Sequence, residues 1–278
     1  MKKTLKTLSL LLGFAVCIAG SITLTSCGDD DDNSVTIPNS SDNISTSDLV
    51  GTWNIAGQDG QSTWVFTNDK LTITEWGTQQ FDGPYTVNGD KITYRTKYRQ
   101  YNPQTQQQEE VEGDITVKIG LICDKAVLVL KSEVQNEQGT DYEFSYFMFK
   151  EGKNITATAN DIQGTWDWYM RGDQTYVRTR LTISGNTFDM IITPWGQRYT
   201  GTFTYANGYI TLNTEHGYTS REEGTGDGFG EGDLDPETLE GTWKNLNNWN
   251  IWEKMPFVAN GNEAYGIVAN LSALFYKK

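Results

Sequence analysis

The chain has 278 residues, with 22 Lys and Arg against 36 Asp and Glu (formal net charge −14), one histidine and three cysteines. That acidity excludes a protein built to grip nucleic-acid phosphates or anionic lipid, both of which need a basic face. With one histidine and no His/Cys spacing signature, the common zinc sites are excluded too.

At the N-terminus, Lys2, Lys3 and Lys6 precede an apolar run from Leu8 to Ile22, the length of a signal-peptide core and too short for a stable spanning helix. The run ends Leu24-Thr25-Ser26-Cys27. This resembles the bacterial lipobox and implies residues 1–26 as a lipoprotein signal peptide, with Cys27 as the acylated first residue of the mature chain. Two or three acyl chains hold a protein on a membrane far more firmly than one. Removing residues 1–26 takes away three lysines and moves the formal charge from −14 to −17.

Directly behind Cys27 stand Asp29, Asp30, Asp31 and Asp32. Carboxylates are repelled by anionic membrane, and a run of like charge stays solvated. Cysteine followed by an acidic run resembles the surface-export signal of Bacteroidetes lipoproteins. The resemblance implies lipid anchoring in the cell outer membrane facing outside, with a periplasm-facing lipoprotein as the alternative. Residues 27–47 hold no aromatic residue and many Ser, Asn and Asp, the composition of a flexible, disordered stalk.

After the stalk the sequence repeats. "DLVGTWNI" from Asp48 returns as "DIQGTWDW" from Asp161, 113 residues on. Trp76-Gly77 returns as Trp195-Gly196 and Gly83 as Gly201, 119 and 118 residues on. Three landmarks in one order define a tandem duplication of domain-sized units, 48–152 and 160–278. Each copy is expected to fold around its own core.

In the first copy, period-two patterns predict strands near 52–56, 61–67, 70–76, 80–87, 90–101, 111–120, 125–134 and 140–150, divided by turn residues such as Asn68-Asp69 and Asn88-Gly89. An open meander of eight strands leaves two raw edges, which closure into an up-and-down barrel removes. The second copy follows the same plan and adds an acidic, glycine-rich loop, Arg221 to Glu237. A third "GTW" at Gly241 leaves only 38 residues to the end, too few for another barrel. The fold class is therefore all-β: two tandem antiparallel up-and-down barrels after a signal peptide and stalk.

Gly51-Thr52-Trp53 and Gly164-Thr165-Trp166, each opening a strand meander, resemble the Gly-x-Trp start of lipocalins and related calycins, and more closely the lipocalin-like domains of Bacteroidetes lipoproteins. The resemblance implies a tryptophan plugging one barrel end beneath a cation from the last strand. Trp53 with Lys150 and Trp166 with Lys277 would fill those places, with Lys where lipocalins usually carry Arg.

No catalytic set assembles: GxSxG and P-loop patterns are absent. Cys123, in an apolar run, reads as a buried small residue rather than a nucleophile. Asp227, Glu231, Asp233, Asp235 and Glu237 offer the oxygen ligands calcium takes, but lack the EF-hand pattern and read as a solvated loop. Trp249 and Trp252, set among asparagines, are candidates for a surface or pocket-mouth cluster. The expectation is a non-enzymatic binding lipoprotein without cofactor, taking a small apolar or amphipathic ligand or a partner protein. Glycan binding in a nutrient-uptake system and a filled, structural subunit are the alternatives.

Overall fold

The computed structural model describes residues 44–58, 60–102, 104–136, 139–170, 173–220, 234–235, 237–246, 254–268 and 270–278. The first copy runs α1 (Thr46–Leu49), β1 (Gly51–Ile55), β2 (Thr63–Phe66), β3 (Lys70–Glu75), β4 (Thr78–Asn88), β5 (Lys91–Asn102), β6 (Gln107–Ile122), β7 (Val127–Asn136) and β8 (Gly139–Lys150). Each strand pairs antiparallel with the next, and β8 returns to β1 with Trp53 opposite Lys150 and Ile55 opposite Met148. The barrel is closed.

The second copy comprises β9 (Gly164–Met170), β10 (Asp173–Ser184), β11 (Thr187–Ile192), a 3₁₀ turn (Thr193–Trp195), β12 (Gln197–Ala206), β13 (Tyr209–Thr219), β14 (Lys244–Asn245), β15 (Lys254–Asn260), β16 (Glu263–Val268) and β17 (Leu271–Lys277). Here β13 pairs with β15, and β17 returns to β9, closing a second ring of eight. The two-residue β14 pairs with the end of β13 outside that ring. It directly follows the third "GTW", whose residues Gly241 to Trp243 form no strand.

Alternation explains which side chains enter. Leu71 and Ile73 on β3, or Phe188, Met190 and Ile192 on β11, are buried while their neighbours are not. Trp64, Phe66, Ile92, Ile119 and Leu130 join the first core; Leu181, Phe203, Phe257 and Phe275 join the second. The first described residue, Ile44, is already buried, within the stretch 27–47 expected to be stalk and four residues ahead of the Asp48 start expected from the repeat. The Asp48 carboxylate explains this: it accepts the Ser45 N–H (3.0 Å) and hydroxyl (2.8 Å), a capping box that composition alone does not reveal. The second copy repeats the device, with Asp161 accepting from Thr158 N (2.6 Å) and Oγ1 (2.8 Å).

The duplication predicts two independent cores, and each barrel interior is indeed drawn from its own copy alone. A third apolar cluster joins the barrels: Val127, Val129 and Phe147 from the outer face of β7 and β8, Val258 and Tyr265 from the outer face of β15 and β16, and Ile155 from the connection. The Tyr265 ring lies 5.4 Å from Phe144 and 6.3 Å from Phe147. Near α1, Phe149 meets Tyr209 at 5.3 Å. At the opposite end, a Cβ on Gly57 would lie 3.2 Å from Ile267. The barrels therefore stand side by side in the same sense, their tryptophan-plugged ends on one side and their mouths on the other.

Gly201 marks a β-bulge, where the pairing of β12 with β13 skips Glu215. A Cβ there would lie 2.1 Å from the Asn213 carbonyl oxygen. Gly201→Ala is expected to destabilise the second barrel by about 1–3 kcal/mol, the scale of overpacking, seen as a lower thermal midpoint. At Gly83, its counterpart, a Cβ would meet only the movable Phe81 ring at 3.0 Å, so Gly83→Ala should cost less; equal effects would contradict the bulge account.

Candidate functional site

The closed ends hold the residues paired by the sequence reading. Trp53 is fully buried and donates from Nε1 to the Leu49 carbonyl at 2.6 Å. Lys150 Nζ stands 4.9 Å from the Trp53 ring centre and donates to the Asp48 carbonyl at 2.9 Å. Its partial burial lowers its pKa. Lys125 reaches the Asp48 carboxylate at 2.5 Å, and that contact, with the Ser45 bonds, holds the carboxyl at about 2. In the second barrel, Trp166 donates to Ile162 O at 2.8 Å and Lys277 Nζ lies 5.2 Å from its ring.

Both opening glycines serve this arrangement. Gly51 and Gly164 have φ of +128° and +123°, and a Cβ on either would touch the stem of Lys150 or Lys277 at 3.1 or 3.0 Å. Each lysine lies along its glycine to reach over the tryptophan. Both indole N–H groups and the Lys150 ammonium have hydrogen-bond partners inside the protein, and the Lys277 ammonium lies over the Trp166 ring.

The mouth of the first barrel is different. Trp64, 0% exposed, Tyr94 and Tyr146 converge from β2, β5 and β8, with Trp64 about 6 Å from each in edge contact and Phe81 4.8 Å from Tyr94. The Trp64 indole N–H faces the Tyr146 hydroxyl, and both atoms are buried with no other partner. On β3, Glu75 follows Leu71 and Ile73 on the inward face. Burial raises its pKa, and its charge raises those of Tyr94 and Tyr146, behind burial as the main cause for both.

The rim is built by two short connections. Gly77 N donates to Gln61 O at 2.9 Å, and Trp76 N to the buried Ser62 hydroxyl at 3.2 Å. Trp76 is thereby held at the lip, 60% exposed. Beyond the rim, β5 and β6 outrun their neighbours: β4 pairs with β5 only as far as Tyr94, β7 with β6 only from Val117. The projecting ribbon carries cross-strand ion pairs, Arg95 with Glu112 and Asp114, and Lys97 with Glu110.

The second barrel treats the same landmarks otherwise. Trp195, counterpart of Trp76, folds against the core through the Pro194 turn, and Leu246 packs beside it. Leu246 N is fixed to Gly217 O at 2.9 Å, and Ser220 N to Gly196 O at 2.8 Å. Trp195 and Leu246 both pack on the core at this end. A cleft of about 250 Å³ lies outside, lined by Asp167, Tyr169, Val177, Arg180, Glu237 and Lys278 among others. Its buried Asp167 is already held by two bonds from Arg180, at 2.6 and 2.5 Å.

Of the remaining sequence candidates, Cys27, Asp29 to Asp32, Trp249, Trp252, Asp227, Glu231 and Asp233 lie outside the described residues. Asp235 accepts the backbone N–H groups of Glu237 (2.8 Å) and Thr238 (3.1 Å), a turn contact that lowers its pKa. Cys123 sits in the β6–β7 turn with its thiol pushed up to about 11, chiefly by burial, the opposite of an activated nucleophile. The sequence reading passed over Glu75, Trp64, Tyr94 and Tyr146. An acidic residue on the inward beat of "LTITE" was the available signal.

The chain matches no protein-family model, no curated protein and no solved structure.

Proposed function

We propose that this is a non-catalytic binding lipoprotein with two lipocalin-like domains, anchored through Cys27 in the cell outer membrane and facing outside. The mouth of the first barrel takes a small amphipathic molecule, and the second barrel buttresses the first. The observation that carries this reading is the half-buried Glu75 carboxylate, turned inward beside the rings of Trp64, Tyr94 and Tyr146 with no partner among the described residues. Binding sites are typically apolar walls with a few placed polar groups, and a ligand would complement a group that the fold leaves unpaired.

The test is mass spectrometry of small molecules released from protein purified out of its native membrane. Wild type should carry a molecule that the Trp64→Phe/Tyr146→Phe variant lacks; equal loading, or none in either, contradicts the reading. A glycan is the second reading, favoured by the exposed Trp76, since sugar rings stack on such a surface. Loss of a bound glycan in Trp76→Ala would select it.

Anchoring has a separate check. Cys27→Ala should yield soluble or uncleaved protein, because the acyl chains supply the membrane affinity. A mature, membrane-bound Cys27→Ala product contradicts the lipobox. Replacing Asp29 to Asp32 by alanine should reduce protease accessibility on intact cells and leave lipidation unchanged; unaltered exposure would make the run a spacer only.

A further inference from the structure

We infer that the ligand of the first barrel carries an organic ammonium group, received by Glu75 among the rings of Trp64, Phe81, Tyr94 and Tyr146. The inference rests on the binding reading above and names the chemistry of that site. Two observations converge on it.

First, Glu75 is a carboxylate on the inward face of a barrel strand, and among the described residues it has no hydrogen-bond or ion-pair partner. Every other inward position named on that strand is apolar. A half-buried carboxylate without a partner is unfavourable, and a cation is the complement that removes the penalty. Elsewhere the fold provides such complements: Asp82 has Lys70, Asp90 has Lys118 and Asp189 has Arg198. Glu75 is left open.

Second, its surroundings are aromatic. Trp64, Tyr94, Tyr146 and Phe81 form one connected ring cluster, and ring faces attract organic cations. A small metal ion would want several oxygens, whereas one carboxylate with aromatic walls suits a larger, weakly hydrated ammonium. An amphipathic amine meets both conditions. The strongly acidic chain also draws cations toward its surface.

The experiment is calorimetric titration of the full mature protein with two matched probe pairs: tyramine against 4-ethylphenol, and choline against 3,3-dimethyl-1-butanol. At least one amine is expected to bind tenfold or more tightly than its uncharged partner, with affinity falling as salt rises. Glu75→Gln should erase that preference while keeping the thermal midpoint. Tyr146→Phe should weaken the amine and preserve the charge preference. If the uncharged probes bind as tightly as the amines, or if Glu75→Gln keeps the preference, the ammonium inference is wrong and the mouth remains a binding site. If no probe binds and no molecule co-purifies with the protein, both the inference and the binding reading fall.

Discussion

Trp53→Ala is expected to lower the thermal midpoint by roughly 10 °C. Truncating a fully buried tryptophan costs about 3–5 kcal/mol, and 1 kcal/mol moves a chain of this size by about 2–4 °C. The loss has three parts here: the ring's packing against the first core, its hydrogen bond to Leu49 O, and the seat for the Lys150 ammonium. Without the ring, α1 loses one of the contacts that hold it across the barrel end, leaving those of Lys125 and Lys150 to Asp48. Trp166→Ala should act comparably, since Ile162 O and Lys277 surround it in the same way. A shift under 2 °C for either variant, measured by calorimetry, would mean that the plugs contribute little.

Tyr265→Ala is the second large effect, and it reaches both barrels. Tyr265 is fully buried, touches Phe144 and Phe147 of the first barrel, and donates to Glu263 Oε2 at 2.6 Å. Its truncation should cost about 3–5 kcal/mol, as for other large buried aromatics, and should separate a single unfolding transition into two. A fragment starting at Asp161 contains all eight strands of the second ring and should be β-rich. It would also expose Val258, Tyr265, Ile267 and Leu274, an apolar face of the kind that drives association. The fragment is therefore expected to self-associate, with Val258→Asp restoring a monomer. A monomeric unmodified fragment, or an unchanged transition in Tyr265→Ala, would show that the third cluster contributes little.

The two barrels were legible because their signals are local. Alternation in "KLTITE" and "NTFDMII" sets the inward faces, and the turn residues set strand ends. The repeated Gly-Thr-Trp with a terminal lysine names partners that meet once first and last strands close the ring. The docking of the barrels was hidden by the same alternation. Outward residues of an isolated barrel should be polar, but "AVLVL" and "YFMF" are apolar on both faces, the pattern of strands covered twice. Read for both faces, those runs announce a second packing surface.

The mouth was harder to read because Trp64, Glu75, Tyr94 and Tyr146 come from four strands across 83 positions of sequence. Their meeting depends on register, and the pairing of β7 with β8 has a bulge at Ser145, just before Tyr146, that the alternation does not announce. Trp76 and Trp195 teach a related point. They are duplicate landmarks, but Pro194 turns one inward, while the bond from Trp76 N to Ser62 holds the other at the lip. The Trp-Gly pair marks the turn, and its neighbours decide whether the ring faces solvent.

The parallel docking of the barrels, with both mouths on one face, is tested most directly by a cysteine pair at Gly57 and Ile267 in a Cys123→Ser background. A Cβ at position 57 would lie 3.7 Å from the Ile267 Cβ, within the span of a disulfide. The account predicts that Gly57→Cys/Ile267→Cys forms an intramolecular bond in the folded protein under mild oxidation, seen as a cross-linked peptide by non-reducing mass spectrometry. Two free thiols in a folded, oxidised protein would contradict it.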